Sequence, residues 1–333
     1  MRSSSAPQTQ IVRCPRPLRP AALRQLHDAL PPDQRWVLAQ VLSQIEAGDE
    51  AVWAGLLIAQ IGGAVEDRAN IDAVIWVQRA TGNTAVVWAA PDNGEVFGSL
   101  LRAAADFVDE ERIPLAQMVV GEQDGYCAAV NEACGFPRLA GLEYLFAEVS
   151  PPTLASDDVV SARPEIREAG DLQFVPRAGD QPQRLCELLE QTYLGTLDCP
   201  ALDGIRPMDE VLEGYRAQGH YSPDDWYFVQ HEHGDVGALI LAEHAGLGNW
   251  ELVYMGVVPT ARGKKIGEQI IRFALEAAAR HGAERLVLAV DEANTPALRA
   301  YERAGFVVWD RRLVYARLRT PSQHSENALV PSA

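Results

Sequence analysis

The chain has 333 residues, more than one hydrophobic core usually organises, so its length favours two domains over one. Hydrophobic residues make up 47% and charged residues 23%, which is typical of a globular protein and excludes a largely disordered chain. Acidic residues outnumber basic ones by 46 to 29, and the resulting charge of -17 repels nucleic acid and anionic membranes. The same charge attracts a cationic partner, such as an amine.

The five cysteines are odd in number, include no C-x-x-C pair and lie in a chain too long to need disulfides. They indicate a reducing compartment. No apolar run approaches the roughly 18 residues that span a bilayer, and the first ten residues lack the apolar core of a signal peptide. The sequence therefore predicts a cytoplasmic protein without a membrane segment.

Composition divides the chain into segments. We expect disorder at residues 1–10 and at residues 320–333, which are polar and poor in large side chains. Residues 151–164 are rich in proline, serine and aspartate, a composition typical of a linker. Two predicted domains remain, residues 11–150 and residues 165–319.

The two halves show the same order of predicted elements, strand, helix, strand and helix. In the first half these elements are residues 84–90, 98–108, 115–120 and 125–134. In the second half they are residues 250–258, 267–281, 285–290 and 295–304. A shift of 170 residues (305 minus 135) places the Gly-Phe pair at 135–136 on the Gly-Phe pair at 305–306. We therefore predict an internal duplication.

The most specific local signal is the segment 257–267, VVPTARGKKIG, between a predicted strand and an amphipathic helix. A glycine-containing turn leaves backbone N–H groups free, and the following helix adds its positive N-terminal end, so this arrangement suits a diphosphate. Arg262, Lys264 and Lys265 add positive charge to an acidic chain. A plain turn with solvated basic side chains is the alternative interpretation.

This segment resembles the acetyl-CoA signature of the GCN5-related N-acetyltransferase (GNAT) superfamily, Arg/Gln-x-x-Gly-x-Gly/Ala after a strand. Arg262 and Gly267 occupy the expected places, whereas Lys265 replaces the middle glycine. A lysine there still offers its N–H if its φ stays negative, and its side chain reaches phosphate. Residues 294–306, NTPALRAYERAGF, are similar to the family's Asn-x-x-Ala-x-x-x-Tyr-x-x-x-Gly-Phe segment.

The resemblance implies an α/β (α+β) protein with two tandem GNAT-like domains, each a mixed central sheet flanked by helices. It implies that the second domain binds acetyl-CoA. The expected coenzyme contacts are Val257, Val258, Arg262, Gly263, Lys264, Lys265, Ile266, Gly267 and Asn294. Asn294 also suits the N-cap of the helix that follows it.

The resemblance further implies that Tyr301 is the acid that protonates the departing coenzyme A thiolate, with a core tyrosine as the alternative. In this superfamily the strand at 251–257 parts from the next strand. Its free backbone groups hold the pantetheine and the thioester carbonyl, and the Val257 N–H is the candidate oxyanion donor.

Four carboxylates are candidates for contact with an amine. Glu251 is the candidate base or ammonium anchor, Glu292 is a weaker one, and a solvent-facing carboxylate at a strand end is the alternative for Glu251. Asp198 and Asp203 lie in the turn-rich segment 193–204, where they are candidates to bind a cationic acceptor or, more commonly, shape turns.

No metal is expected, because His220, His231, His233 and His244 match no strong zinc pattern. Cys199 has no histidine close in sequence, so an unreactive thiol is favoured over a nucleophile.

The first half lacks the residues that carry this chemistry. Its segment 91–98 has two acids and no base where the coenzyme loop should lie, and Asn131 takes the place of Tyr301. The resemblance therefore implies a degenerate first copy, in a tandem arrangement similar to that of mycothiol synthase.

The leading hypothesis is an acetyltransferase that moves an acetyl group from acetyl-CoA directly to a primary amine of a small molecule or peptide. The alternative is a non-catalytic acyl-CoA sensor or scaffold, which Lys265 keeps open. No nucleic-acid or membrane partner is expected. The sequence leaves the oligomeric state undetermined.

Overall fold

A computed structural model of the chain describes residues 9–46, 48–61, 71–92, 94–149, 167–169, 171–232, 234–244 and 248–319. The predicted linker at 151–164 lies outside these residues, and so does the predicted disordered tail at 320–333. The first strand begins at Thr9, within the segment 1–10 for which disorder is predicted. Among the described residues, no helix is both long and apolar enough to cross a bilayer.

Contacts divide the chain into two compact units. The first comprises Met1–Leu139 together with Leu313–Ala333, and the second comprises Ala140–Arg312. Residues 140–149, which precede the predicted linker, are therefore grouped with the second half of the chain.

The first unit contains one sheet and several helices. In chain order its elements are β1 (Thr9–Arg13), α1 (Arg19–Ala29), α2 (Pro32–Gln44), β2 (Leu56–Ile61), β3 (Ile71–Ala80), β4 (Thr84–Ala89), α3 (Glu95–Glu110), β5 (Leu115–Gly121) and α4 (Ala128–Ala133). Strands β1 to β5 are neighbours in chain order, and all of these pairs are antiparallel except β4–β5.

The second unit repeats this plan. Its elements are β6 (Arg138–Glu148), β7 (Arg167–Ala169), β8 (Leu172–Val175), α5 (Pro182–Tyr193), α6 (Met208–Arg216), β9 (Trp226–His231), β10 (Gly234–His244), β11 (Asn249–Val257), α7 (Ile266–Arg280), β12 (Arg285–Asp291), α8 (Thr295–Arg303) and the first half of β13 (Val307–Leu318). Its strands lie in the order β7-β8-β9-β10-β11-β12-β6, and only β11–β12 is parallel. The predicted mixed sheet with flanking helices is confirmed.

Helices α5 and α7 cover opposite faces of the second sheet. Arg184 of α5 lies 4.0 Å from the ring centre of Phe228, whereas Phe273 of α7 packs against Tyr227, 5.1 Å away. Phe228 and Tyr227 are adjacent in β9, and adjacent strand residues point to opposite faces. Helix α7 packs here because its buried residues recur at helical spacing, Ile266, Ile270, Ile271, Phe273, Ala274, Ala277 and Ala278.

The predicted duplication extends to single hydrogen bonds. After α4, the N–H of Phe136 donates to the carbonyl of Asn131 at 2.9 Å. After α8, the N–H of Phe306 donates to the carbonyl of Tyr301 at 3.0 Å. The glycine before each phenylalanine has the same left-handed backbone, with φ of 92° in the first copy and 91° in the second. Both helices thus end in the same turn.

The last strand of each copy completes the other unit. Strand β6, from the first copy, pairs antiparallel with β12 over seven residue pairs. Strand β13, from the second copy, lies beside β5, and its residues from Leu313 onward belong to the first unit. The exchange is reciprocal, because Val149 N–H donates to Glu284 at 2.9 Å and Arg319 N–H donates to Pro114 at 2.9 Å.

A fragment of residues 165–319 should fold poorly compared with a fragment of residues 138–319. The shorter fragment lacks β6, so β12 becomes an open edge, and the side chains of Leu145 and Ala147 leave the core. Circular dichroism melting and size-exclusion chromatography should show a cooperative monomer only for the longer fragment. Equal melting temperatures for the two fragments would contradict the assigned exchange.

Candidate functional site

Strands β11 and β12 run side by side only at their beginnings. Their parallel register covers the three pairs from Asn249 to Glu251. Strand β11 then continues to Val257 and β12 to Asp291 without further pairing between them. The parting of these strands that the family resemblance implied is confirmed, and a gap opens between their carboxyl ends.

Backbone N–H groups of β11 point into this gap. The N–H of Val258 donates to the carbonyl of Val236 at 2.9 Å, so this N–H points toward β10. Because N–H groups alternate in direction along an antiparallel pair, Val257 and Met255 direct theirs away from β10. Val257 is the predicted oxyanion donor, and Met255 adds a second N–H that the sequence did not single out.

A cavity of about 590 Å³ occupies the gap. The end of β11, the loop before α7, the first turn of α7 and the face of α8 form its wall, together with the loop after α5. The lining includes most of the predicted site residues, namely Asp198, Val257, Arg262, Gly263, Lys265, Ile266, Gly267, Asn294 and Tyr301. The structure therefore brings the predicted coenzyme loop and the predicted acid to one cavity.

Four predicted site residues lie outside the cavity wall. Val258 is buried in the core, with its N–H already bonded to β10. Lys264 and Asp203 are exposed. Glu251 lies on β11 six residues before its end and is bonded to a histidine.

The first turn of α7 forms a cradle of free N–H groups. Ile266, Gly267 and Glu268 line the cavity, and the first N–H groups of a helix have no intrahelical partner. Lys265 caps the helix with a φ of 60°. The negative φ on which the availability of its N–H was made conditional is therefore absent, and the lysine adopts a left-handed backbone that glycine adopts at no steric cost. That conformation costs an L-residue about 1–2 kcal/mol.

Arg262 binds backbone carbonyls on two sides of the cavity. Its Nε donates to Val257 at 3.0 Å, and its terminal nitrogens donate to Gly195 at 3.1 Å and to Thr192 at 2.8 Å. The side chain thereby joins the end of β11 to the end of α5. Its guanidinium shapes the cavity as well as adding charge to it.

Tyr301 presents an uncommitted hydroxyl to the cavity. The residue is 5% exposed, and in the part of the chain that the structure describes no group accepts a hydrogen bond from its hydroxyl. Burial, followed by the charge of Asp198, raises the pKa of Tyr301 above its usual value. The hydroxyl therefore stays protonated at neutral pH and is available as a donor.

Two hydrogen bonds between the Asp198 loop and Asp291 hold Asp198 at the cavity wall. Its Oδ1 accepts from the N–H of Asp291 at 2.9 Å, while the N–H of Cys199 donates to the Asp291 carboxylate at 3.0 Å. These bonds join the loop after α5 to the end of β12. Burial raises the pKa of the Asp198 carboxyl, and the charge of Asp291 raises it further. Asn294 caps α8 as predicted, since its Oδ1 accepts from Ala297 at 3.4 Å.

Glu251 makes a contact that the sequence did not reveal. His244 Nε2 lies 2.6 Å from Glu251 Oε2, and both side chains are half-buried. The hydrogen bond to Glu251 and the carboxylate charge raise the pKa of His244. No local motif signals this pair, because the two residues come from different strands.

Other candidates from the sequence are placed as follows. Burial and the neighbouring Asp198 raise the pKa of the Cys199 thiol to about 12, which makes the thiol a poor nucleophile at neutral pH. Within the described ranges, no group of three or more His, Cys, Asp and Glu residues is placed to hold a metal ion. His233 lies outside those ranges. Glu292 N–H donates to Gly141 at 2.8 Å, so this residue packs against β6.

A family model described as the Acetyltransferase (GNAT) family matches residues 185–306. Mycothiol acetyltransferase of Corynebacterium glutamicum is 36% identical over 67 residues, 20% of this chain and 23% of that protein. Mycothiol acetyltransferase of Corynebacterium aurimucosum is 28% identical over 122 residues, 33% of this chain and 39% of that protein. The matched segment spans less than half the length of either relative.

A solved GCN5-related N-acetyltransferase from Sphaerobacter thermophilus resembles the chain over most of its length. It aligns with 95% of this chain and 98% of its own, with a TM-score of 0.58 and 17% identity. At this identity the likeness shows the fold. It covers both copies.

The Arg262→Lys variant should lower the free energy of unfolding by about 1–2 kcal/mol, because lysine loses the planar fork that reaches three carbonyls. Urea denaturation measures this loss. Arg272→Lys is the matched control, since Arg272 is exposed on the neighbouring helix and should tolerate the change within about 0.5 kcal/mol. Equal losses in the two variants would show that the carbonyl contacts of Arg262 add no stability.

Proposed function

The chain belongs to the GNAT superfamily of N-acetyltransferases, with two tandem copies of the fold, and from that premise we propose a specific reaction for its C-terminal unit. In this proposal the unit transfers an acetyl group from acetyl-CoA to a primary amine of a small molecule or peptide. The observation that carries the proposal is one cavity that runs from the α7 cradle to the Tyr301 hydroxyl through the parted strands.

The residues at the α7 end of the cavity suit a coenzyme diphosphate. The free N–H groups of the first helical turn attract an anion, and the helix dipole adds to this attraction. Lys265 adds positive charge, and Arg303 reaches the same wall although its guanidinium also binds Glu268 at 2.8 Å. A bound acetyl-CoA supplies a thioester that is activated toward amines.

The residues at the other end of the cavity suit acyl transfer. The amine must lose a proton before it attacks, and Asp198, whose carboxyl faces the cavity and has a raised pKa, is the proposed acceptor of that proton. The N–H groups of Val257 and Met255 are proposed to stabilise the negative charge on the carbonyl oxygen. Tyr301 is proposed to give its proton to the sulfur as the carbon–nitrogen bond forms and the carbon–sulfur bond breaks. The proton that the nitrogen then loses to become a neutral amide returns to the Tyr301 oxygen through solvent in the cavity.

Glu251 has a different place in this proposal from the one first predicted. Its carboxylate lies outside the cavity wall and is hydrogen-bonded to His244, so direct contact with the reacting amine is assigned to Asp198. The five free thiols support the proposed cytoplasmic location, where thiols remain reduced.

Isothermal titration should detect acetyl-CoA binding, and thiol release with a panel of primary amines should detect turnover. The Tyr301→Phe variant should bind the coenzyme normally but turn over roughly tenfold to a thousandfold more slowly, because the proton donor is gone. Tyr227→Phe is the control, since Tyr227 is buried in the same unit outside the cavity. Absence of binding at millimolar acetyl-CoA would refute the enzyme, whereas binding without turnover would favour a coenzyme sensor.

The Asp198→Asn variant should raise the KM for the amine by roughly tenfold to a hundredfold, because a charge-assisted contact to the ammonium is lost. In the wild type, activity should fall as pH drops through the raised pKa of Asp198, because protonation removes both the anionic charge and the proton acceptor. This acid limb should vanish in the variant. Asp203→Asn, in the same loop but outside the cavity, should change neither KM nor the pH profile. If Asp203→Asn raised KM as much as Asp198→Asn, the proposed role of Asp198 in binding the amine would be contradicted.

A further inference from the structure

One face of the second sheet continues from the cavity onto β12 and β6. Glu251 is opposite Val287 across the β11–β12 pair, and Val287 is opposite Phe146 of β6. Two residues further along, Ala289 is opposite Tyr144. Residues that pair directly or are two apart along a strand share a face, so these five side chains lie on the same side.

The face is open and partly aromatic. Ala289 is exposed, and Val287, Phe146 and Tyr144 are only partly buried. The Trp309 ring meets the Tyr144 ring edge-on, with centroids 6.0 Å apart, and Trp309 is 56% exposed. Trp309 therefore presents a large apolar ring at the surface of this face, beside Tyr144.

Charged groups border this aromatic surface. The guanidinium of Arg312 lies 5.5 Å from the centre of the Tyr144 ring and is bonded to Asp310 at 2.7 Å. On the other side, the Glu251 carboxylate is close enough to Tyr144 to raise the pKa of its hydroxyl, which burial raises most. Two acid–base pairs, His244–Glu251 and Arg312–Asp310, thus lie close to the Tyr144 ring.

Ala289 connects this face to the cavity, because it is also part of the cavity wall. Cross-strand neighbours have Cβ atoms about 5 Å apart, so the Tyr144 ring begins about one residue's width from the cavity. That spacing equals the reach of a short alkyl chain. One small amine can therefore reach both the cavity and the ring of Tyr144.

We propose that this face is the acceptor-binding surface, and that it selects primary amines carrying an aromatic or extended apolar group two or three bonds from the nitrogen. The inference rests on the proposed acetyl transfer and specifies the acceptor class. It assigns a specificity role to Tyr144, which by sequence position belongs to the first copy but lies in the second unit. The degenerate copy thereby supplies part of the working site.

Two amines serve as probes, 2-phenylethylamine and ethylamine, titrated against the full chain with coenzyme A present and followed by ligand-observed NMR. The wild type should bind 2-phenylethylamine at least about tenfold more tightly than ethylamine, since only the former packs on the indole. The Trp309→Ala variant should lose most of this preference, and Trp309→Phe should retain most of it. Trp36→Ala is the matched control, because Trp36 is 57% exposed in the other unit and should preserve the preference.

The same samples separate this inference from the proposed reaction when thiol release from acetyl-CoA is followed in parallel. If both amines are acetylated and the wild type shows no preference for 2-phenylethylamine, the acceptor surface is overturned and the proposed reaction stands. The same conclusion follows if the preference survives in Trp309→Ala. A preference that depends on Trp309 without any thiol release would support the surface and refute the reaction. Failure of the wild type to bind 2-phenylethylamine would also overturn the surface.

Discussion

The parting of β11 from β12 is the constraint on which the site depends. Two parallel strands that stop pairing after Glu251 leave a row of N–H and C=O groups without ladder partners, and such groups are costly to bury. The structure compensates from both sides of the gap. Arg262 binds the freed carbonyl of Val257, and the Asp198–Asp291 brace fixes the end of β12. The N–H groups of Val257 and Met255 stay free, and these are the groups assigned to the thioester carbonyl in the proposed reaction.

Local physics made the α7 loop and the α8 cap predictable. The glycine turn, the basic residues and the helical spacing all lie within one short segment, and Asn294 caps its helix because of residues three positions away. Lys265 was predictable in position but not in backbone conformation. Its positive φ follows from the shape of the turn, which the signature glycine normally permits and which the lysine accepts at a cost.

Contacts between residues that are distant in sequence could not be predicted from local patterns. The hydrogen bond between His244 and Glu251 depends on strand register, and nothing local in the sequence indicates that β6 joins the sheet of the second copy. The first copy illustrates the same limit. Its strands β4 and β5 also pair at only three positions, yet the buried amide of Asn131 finds no hydrogen-bond partner among the described residues. The parted geometry is therefore common to both copies, whereas the tyrosine at its side is present only in the second.

The reciprocal exchange of β6 and β13 bears on how such a chain arises. A single ancestral copy with this strand arrangement would have left the edge of its sheet uncovered, and a second identical molecule offering its own last strand would have closed it. Fusion of the two genes then makes permanent a pairing that dilution would otherwise undo. The first copy cannot be deleted from such a chain without opening the second sheet, because the last strand of the first copy is an internal part of that sheet.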